Sequence, residues 1–220
     1  MDATTWIILI ASVIMNLISG YLLFTEKALA KEDGEIVISK AGKIYSIIFF
    51  IINIAVALLF CFYYKAESTA FVCKRIALLS IMWPIAYIDF KVYKIPNRYI
   101  LLGLMYRGMI LALELLMGDT YLAGTLTSEA IAVAAMIIVS LLCFVFVKNA
   151  IGFGDIKLFI VMGLCLGLQS IWNAMFLSML ITFVIAVILL ITKKKSKKDF
   201  LPFGPMLMAG TYISILLTGM

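Results

Sequence analysis

The sequence predicts an all-α, polytopic membrane protein: a bundle of about eight transmembrane helices with both termini on the extracytoplasmic side. Three observations carry that expectation. Of 220 residues, 65% are apolar, the mean hydropathy is +1.16, and charged residues make up 14%, against roughly 25% in an ordinary soluble domain. A soluble fold of this length still exposes ~30% of its unfolded surface and could not hide so much apolar area. Second, the apolar residues fall into runs of membrane-spanning length, about 20 residues each, separated by charge clusters. Third, the basic residues alternate between the two sides of that ladder. Length allows one compact unit, so 1–220 reads as a single integral membrane domain.

Taken in order, the spans lie near 6–24, 44–64, 71–88, 99–117, 128–147, 156–169, 171–191 and 201–219. The run at 6–24 follows only Asp2, with no basic segment before it and no small-x-small cleavage site after it, so it reads as a first span rather than a leader. The loop 25–43 holds Lys27, Lys31, Lys40 and Lys43 and leads into the second span. Lys65 separates the second span from the third, with Lys74 and Arg75 assigned to that same side. The third span ends at a loop carrying Lys91, Lys94 and Arg98. The fourth contains Arg107 and Glu114 and ends in the uncharged-to-acidic stretch around Asp119. The fifth ends at Lys148 and the sixth begins near Lys157. The seventh ends at the lysine run 193–198, and the eighth closes the chain.

Fourteen of the eighteen basic residues then fall on one side, in the loops 25–43, 89–98, 148–157 and 192–200. The positive-inside bias makes that side cytoplasmic. Both termini face out, which requires an even number of spans, as eight is. The net charge of +6 is therefore topology, and no nucleic-acid partner is expected. The lysine run is an anchor at the membrane surface, where acidic lipid headgroups attract such charges.

The composition also excludes chemistry. With no histidine, no His-based metal site, Ser-His-Asp triad or Cys-His dyad can form. Cys61, Cys73, Cys143 and Cys165 are scattered in apolar runs without a C-x-x-C pair, the pattern of inert buried thiols. Catalysis must then rest on carboxylates, hydroxyls, Lys or Arg, with no metal and no cofactor.

Two carboxylates stand out. Asp89 closes the third span in YIDFKVYKIPN, and Asp155 opens the sixth in IGFGDIKLF. By the assigned topology both lie at the cytoplasmic membrane edge, on different helices. Two carboxylates brought close cannot both ionise cheaply, so one keeps a proton while the other stays charged. Such a pair can deprotonate a shared water and polarise a peptide carbonyl, hydrolysing the bond without a covalent intermediate. Pro96 ends the turn after the third span, with Asn97 beyond it. Gly152 and Gly154 permit a tight approach of the backbone just before Asp155. The helix N-terminus and Lys157 both favour the ionised form of Asp155. Gly163 and Gly167 form a GxxxG that lets a neighbouring helix pack closely. Pro202, Gly204 and Pro205 suit a loop or broken helix near the site.

The D-x5-I-P-N run from Asp89 to Asn97, GFGDIK at 152–157 with Gly163 and Gly167, and PFGPML at 202–207 together resemble the type IV prepilin peptidase family. Order and spacing match over roughly 70–220, the expected peptidase core. The resemblance implies a GxGD-type membrane aspartic protease whose two aspartates, here Asp89 and Asp155, act at the cytoplasmic face of the cell membrane. It implies as partners prepilin, pseudopilin or preflagellin precursors with a short basic leader and an apolar helix, as well as the membrane lipids themselves. Bifunctional bacterial members also methylate the new N-terminus, and carry a large cysteine-rich cytoplasmic insert after the first span. Here the short, cysteine-free loop 25–43 stands in its place, so no methyltransferase activity is expected.

Two other readings compete. Presenilin-like or signal-peptide-peptidase-like proteases share a GxGD aspartate, but their first motif is a Tyr-Asp pair, and here Ile88 separates Tyr87 from Asp89. Their Pro-Ala-Leu motif is missing too. A proton-coupled transporter would line a polar path with Asp89, Asp155, Glu114 and Arg107. Arg107 and Glu114, seven apart, can share a helix face, either on such a path or as a pair satisfied between helices.

Overall fold

A computed structural model describes residues 3–26, 29, 38–63, 68–118, 120–146, 152–192 and 201–218. Most of the loop 25–43, Lys148, the lysine run 193–198, Asp119 and Asp199 lie outside the described residues. Among the described residues there are seven helices and no strand: α1 (Ala3–Phe24), α2 (Lys40–Tyr63), α3 (Thr69–Val92), α4 (Asn97–Leu116), α5 (Leu122–Phe146), α6 (Phe153–Ile191) and α7 (Gly204–Thr218). The first six are long and apolar enough to cross a membrane. The chain is a multi-pass helical membrane protein.

The expected sixth and seventh spans form one element, α6, of 39 residues. Straight, it would run about 58 Å, nearly twice the ~30 Å hydrocarbon core. Gly167 breaks it with φ 72° and ψ −179°, a backbone conformation that a Cβ would strain. The two arms on either side, 153–166 and 168–191, run in opposite directions. Gly154 at the start of the first arm sits against Ile95, near the end of α3. Its far end, Cys165 to Gly167, shares a cavity with Lys74 and Arg75 near the start of α3. The second arm begins there, with Ser170 accepting from Arg75, and returns until Ile185 and Leu189 line a groove with Phe90, Tyr93 and Pro202. Two antiparallel arms are thus in place of a single over-long helix, as the eight-span ladder requires. Gly163 does admit close packing, its Cα edge facing the Val133 backbone of α5. Gly167, by contrast, makes the reversal.

Helix α3 is the axis of the bundle, every residue from Val72 to Ala86 being buried. Its Pro84 is tolerated because the surrounding helices cover the interrupted hydrogen-bond ladder. The outer faces of α1, α2, α4, α5 and the second arm are apolar and exposed, as at Trp6, Ile47, Met109, Ile138 and Phe183. In a bilayer those faces meet lipid tails, so little drives helices together except fit and polar contacts. The structure supplies both. Asn53 of α2 donates to Asn16 of α1 at 2.6 Å and accepts from the Tyr212 hydroxyl of α7 at 2.6 Å. Gly210 of α7 lies so close to Ser178 that a Cβ would meet the Ser178 backbone nitrogen at 2.5 Å, which seats α7 on the second arm.

A second polar cluster sits at the far end of α3. Lys74 and Arg75, which the ladder counted with Lys65 on one side of the third span, are buried members of α3. Lys74 Nζ lies 2.9 Å from Glu129 and 3.4 Å from Glu114. Arg107 lies 2.8 Å from Glu129 and 2.9 Å from Glu114. Two cations and two carboxylates from α3, α4 and α5 close a ring, and each is at most 5% exposed. Arg107 and Glu114 are therefore the pair satisfied between helices. Fifteen residues of α3 part Lys74 from Asp89, about 22 Å, and that stretch is buried core.

Candidate active site

Asp89 lies in the last turn of α3, which Tyr93 ends by taking a left-handed conformation (φ 55°, ψ 39°) and donating its N–H to the Asp89 carbonyl at 2.9 Å. Three residues later Pro96 caps α4 in extended backbone, and its carbonyl accepts from Tyr99. This short, stiff connection holds Ile95 against Gly154, where a Cβ would come within 3.0 Å of the Ile95 side chain. Gly154 is thus required by the approach of the α3–α4 turn. Asp155 is the third residue of α6, and its carboxylate accepts from the Gly152 N–H at 3.2 Å, capping its own helix. Gly152 itself has ordinary extended backbone (φ −75°).

The two aspartates come to the same end of the bundle. The Asp89 carboxyl acts electrostatically on Asp155, and the helices bearing them pack together. Asp89 is 8% exposed, Asp155 half-buried. Lys157 turns to Asn97, donating to its Oδ1 at 3.0 Å. That bond pins the start of α4 to α6, so the partner of Lys157 in the structure is Asn97 rather than Asp155.

The third wall comes from α7. Pro202 and Phe203 lead into it, and the Phe203 ring stands edge-on to Phe159 of α6 with centroids 6.2 Å apart. The Gly204 N–H donates to Asp89 Oδ2 at 2.7 Å, a buried bond. A Cβ at 204 would lie 2.9 Å from that same oxygen, so glycine alone fits. Pro205 follows in the first turn, where a missing N–H costs nothing. The PFGP segment is therefore a helix start set against Asp89, a loop entering the helix as its residues suggested. The sequence missed Glu129 and Lys74, ionisable groups inside apolar runs, which by position alone mark intramembrane pairs. Among the described residues no three Cys, Asp or Glu side chains gather as a metal site.

The fold and this end of it define a class: a polytopic helical membrane protein presenting two aspartates, one from a helix end and one from a helix start. The profile of the type IV leader peptidase family matches residues 76–191, more than half of the chain, and the chain belongs to that family. Among curated proteins, the prepilin leader peptidase/N-methyltransferase of Bacillus subtilis (strain 168) is 28% identical over 141 residues, covering 64% of this chain and 54% of that protein. The chain thus spans about half the length of that relative. No solved structure matches it. The match includes Asp89, Asp155, Gly152, Gly154 and Lys157 but stops short of Gly204.

Proposed function

We propose that this chain is an aspartic endopeptidase that removes the short basic leader from prepilin-like precursors at the cytoplasmic face of the cell membrane. The convergence of Asp89 and Asp155 at one end of the bundle is the observation that carries this reading, and membership of a leader peptidase family supports it. Neither carboxylate has a cation hydrogen-bonded to it among the described contacts; each takes a backbone amide instead. Two neighbouring carboxylates hold one proton between them.

The reaction follows from that state. The ionised member takes a proton from a bound water as its oxygen attacks the scissile carbonyl, while the protonated member gives its proton to the carbonyl oxygen. The tetrahedral adduct then collapses: the carbon–nitrogen bond breaks, the proton taken from water passes to the leaving amine, and the proton lent to the carbonyl oxygen returns to the acidic member as the new carboxyl group forms. Atoms balance as one water consumed for one peptide bond cut. A precursor with a basic leader keeps that leader in the cytoplasm by the same charge bias that orients the enzyme. Its cleavable junction then lies at the membrane edge, where a dyad at the end of two helices reaches it.

The cysteine-free loop 25–43 speaks against methyl transfer, so we infer proteolysis alone. Purified protein mixed with a pilin-like precursor carrying a basic leader should give one cut at the leader–helix junction, seen by mass spectrometry. With S-adenosylmethionine present, the new N-terminus should remain unmethylated. Absence of cleavage across several such precursors would overturn the proposal.

A further inference from the structure

The two carboxylates are not held alike, and the difference assigns their roles. Asp89 sits in the last turn of α3, where the carbonyl end of its own helix opposes negative charge. Against that, the Gly204 N–H at the start of α7 reaches its Oδ2 at 2.7 Å within the protein interior. Asp155 has the start of its own helix in its favour, but its hydrogen bond is the longer one, 3.2 Å from Gly152, and lies at an exposed position. A short hydrogen bond to an ionised oxygen is stronger than a long one, and it strengthens further where water is excluded.

Resting on the dyad reading above, we propose that Gly204 is a positioning residue whose backbone amide keeps Asp89 the ionised, water-activating member, leaving Asp155 to hold the shared proton and protonate the carbonyl. The helix start and the bond agree in direction, since the amide groups at the start of α7 favour a nearby anion. The Cβ clearance adds an independent constraint: with 2.9 Å to both the Cβ and Oδ2 of Asp89, any side chain at 204 displaces the carboxylate. The seat of α7 is fixed from behind by Gly210 on Ser178 and by Tyr212 on Asn53, so the amide is held in place rather than free to follow Asp89.

Among the other charged groups at this end, Lys94 of the α3–α4 turn and Lys40 at the start of α2 are exposed. From α6, Asp155 faces Asp89 and Lys157 is bonded to Asn97. From α4, Arg98 donates to the Thr25 carbonyl. On α3 itself, Lys91 lies over the Phe90 ring and Tyr87 packs at Gly42 of α2. Lys43 of α2 borders a groove with Trp83 and α1, and Glu26, just past the end of α1, acts on Tyr99. From α7 come backbone amides.

The test removes the amide and little else. A backbone ester at 204, in which the N–H becomes an oxygen, preserves shape, and Gly204→Ala serves as the coarser variant that displaces the carboxylate. Cleavage of a pilin-like precursor is followed against pH in detergent. If Asp89 is the ionised member, losing its donor makes it harder to ionise. The acid limb of the profile then moves up by about one to two pH units, the span that a hydrogen bond to a charged group is worth. The alkaline limb stays in place. Gly204→Ala should lose turnover about 10-fold or more, with KM little changed. An ester variant whose acid limb does not move, or whose alkaline limb moves instead, overturns the assignment. Asp89→Asn and Asp155→Asn, run alongside, separate the two claims: if they retain turnover the dyad itself fails, whereas if they are inactive and the ester profile is unchanged only the role of Gly204 fails.

Discussion

Glu129→Gln is the most informative perturbation of the fold, because its cost follows from the ring geometry. Glu129 meets Lys74 at 2.9 Å and Arg107 at 2.8 Å, and all four members of the ring are at most 5% exposed. Removing its charge leaves two cations facing the single carboxylate of Glu114, so one positive charge is uncompensated inside a membrane bundle. Breaking a buried pair from one side costs about 3–5 kcal/mol, since the orphaned charge cannot return to water. For a chain of this size each kcal/mol moves the melting temperature by about 2–4 °C, giving a drop of about 6–20 °C. The assay is thermal unfolding of purified protein in a mild detergent, followed by a dye that reports newly exposed cysteines such as buried Cys165. The paired variant Arg107→Met with Glu129→Gln removes one charge of each sign and leaves Lys74 with Glu114. It should recover much of the loss, with a coupling of ~1–3 kcal/mol between the two sites. A Glu129→Gln protein melting within 2 °C of the parent, on the order of a surface substitution, would refute the closed, buried ring.

Three further outcomes are expected. Gly210→Val should clash with Ser178 and lift α7 from its seat. The expected cost is about 1–3 kcal/mol of overpacking together with a loss of leader cleavage, and full activity in that variant would mean α7 does not depend on this contact. Cleavage should persist in the presence of chelators and of serine- or cysteine-directed reagents, because neither a metal nor a covalent nucleophile enters the proposed chemistry; loss on chelation restored by one added metal would make the carboxylates ligands. In a cysteine-free background, a cysteine at 94 should react with an impermeant thiol reagent only after the membrane is opened, and one at 122 from outside, whereas the reverse pattern would place the aspartates on the wrong face for a basic leader.

Much of this was legible in the sequence because a bilayer imposes so few solutions. Runs of apolar residues about 20 long can only be spans, and the two runs divided at 170 turned out to be the two arms of α6, since a single helix of that length would overshoot the membrane. The position of the reversal was less visible. Gly167 reads equally as a packing glycine in a GxxxG, and only its positive φ distinguishes the two. Asp89 and Asp155 were identifiable as a pair because each stands at a helix end with helix-breaking neighbours. What the sequence could not provide was the partner of each polar group. Lys157 lies two residues from Asp155 yet bonds Asn97, sixty residues away. Lys74 and Arg75 looked like charges at the rim of a span because they sit near its end, and their burial depends on partners from other helices, Lys74 on carboxylates of α4 and α5 and Arg75 on Ser170 of α6. The amide of Gly204 was beyond reach for the same reason: which carboxylate a helix start meets is decided by the packing of α7 against the second arm.

The central claim is that Asp89 and Asp155 work as one catalytic unit on a peptide bond, and single-turnover kinetics on the purified protein test it most directly. Rates of leader removal are measured for the parent, Asp89→Asn, Asp155→Asn and the double variant, each shown by gel filtration to remain folded. Residues that act as a unit are non-additive, so each single variant should lose about as much as the double, leaving no turnover above background. Appreciable cleavage by either folded single variant, or losses that multiply in the double, would contradict the dyad.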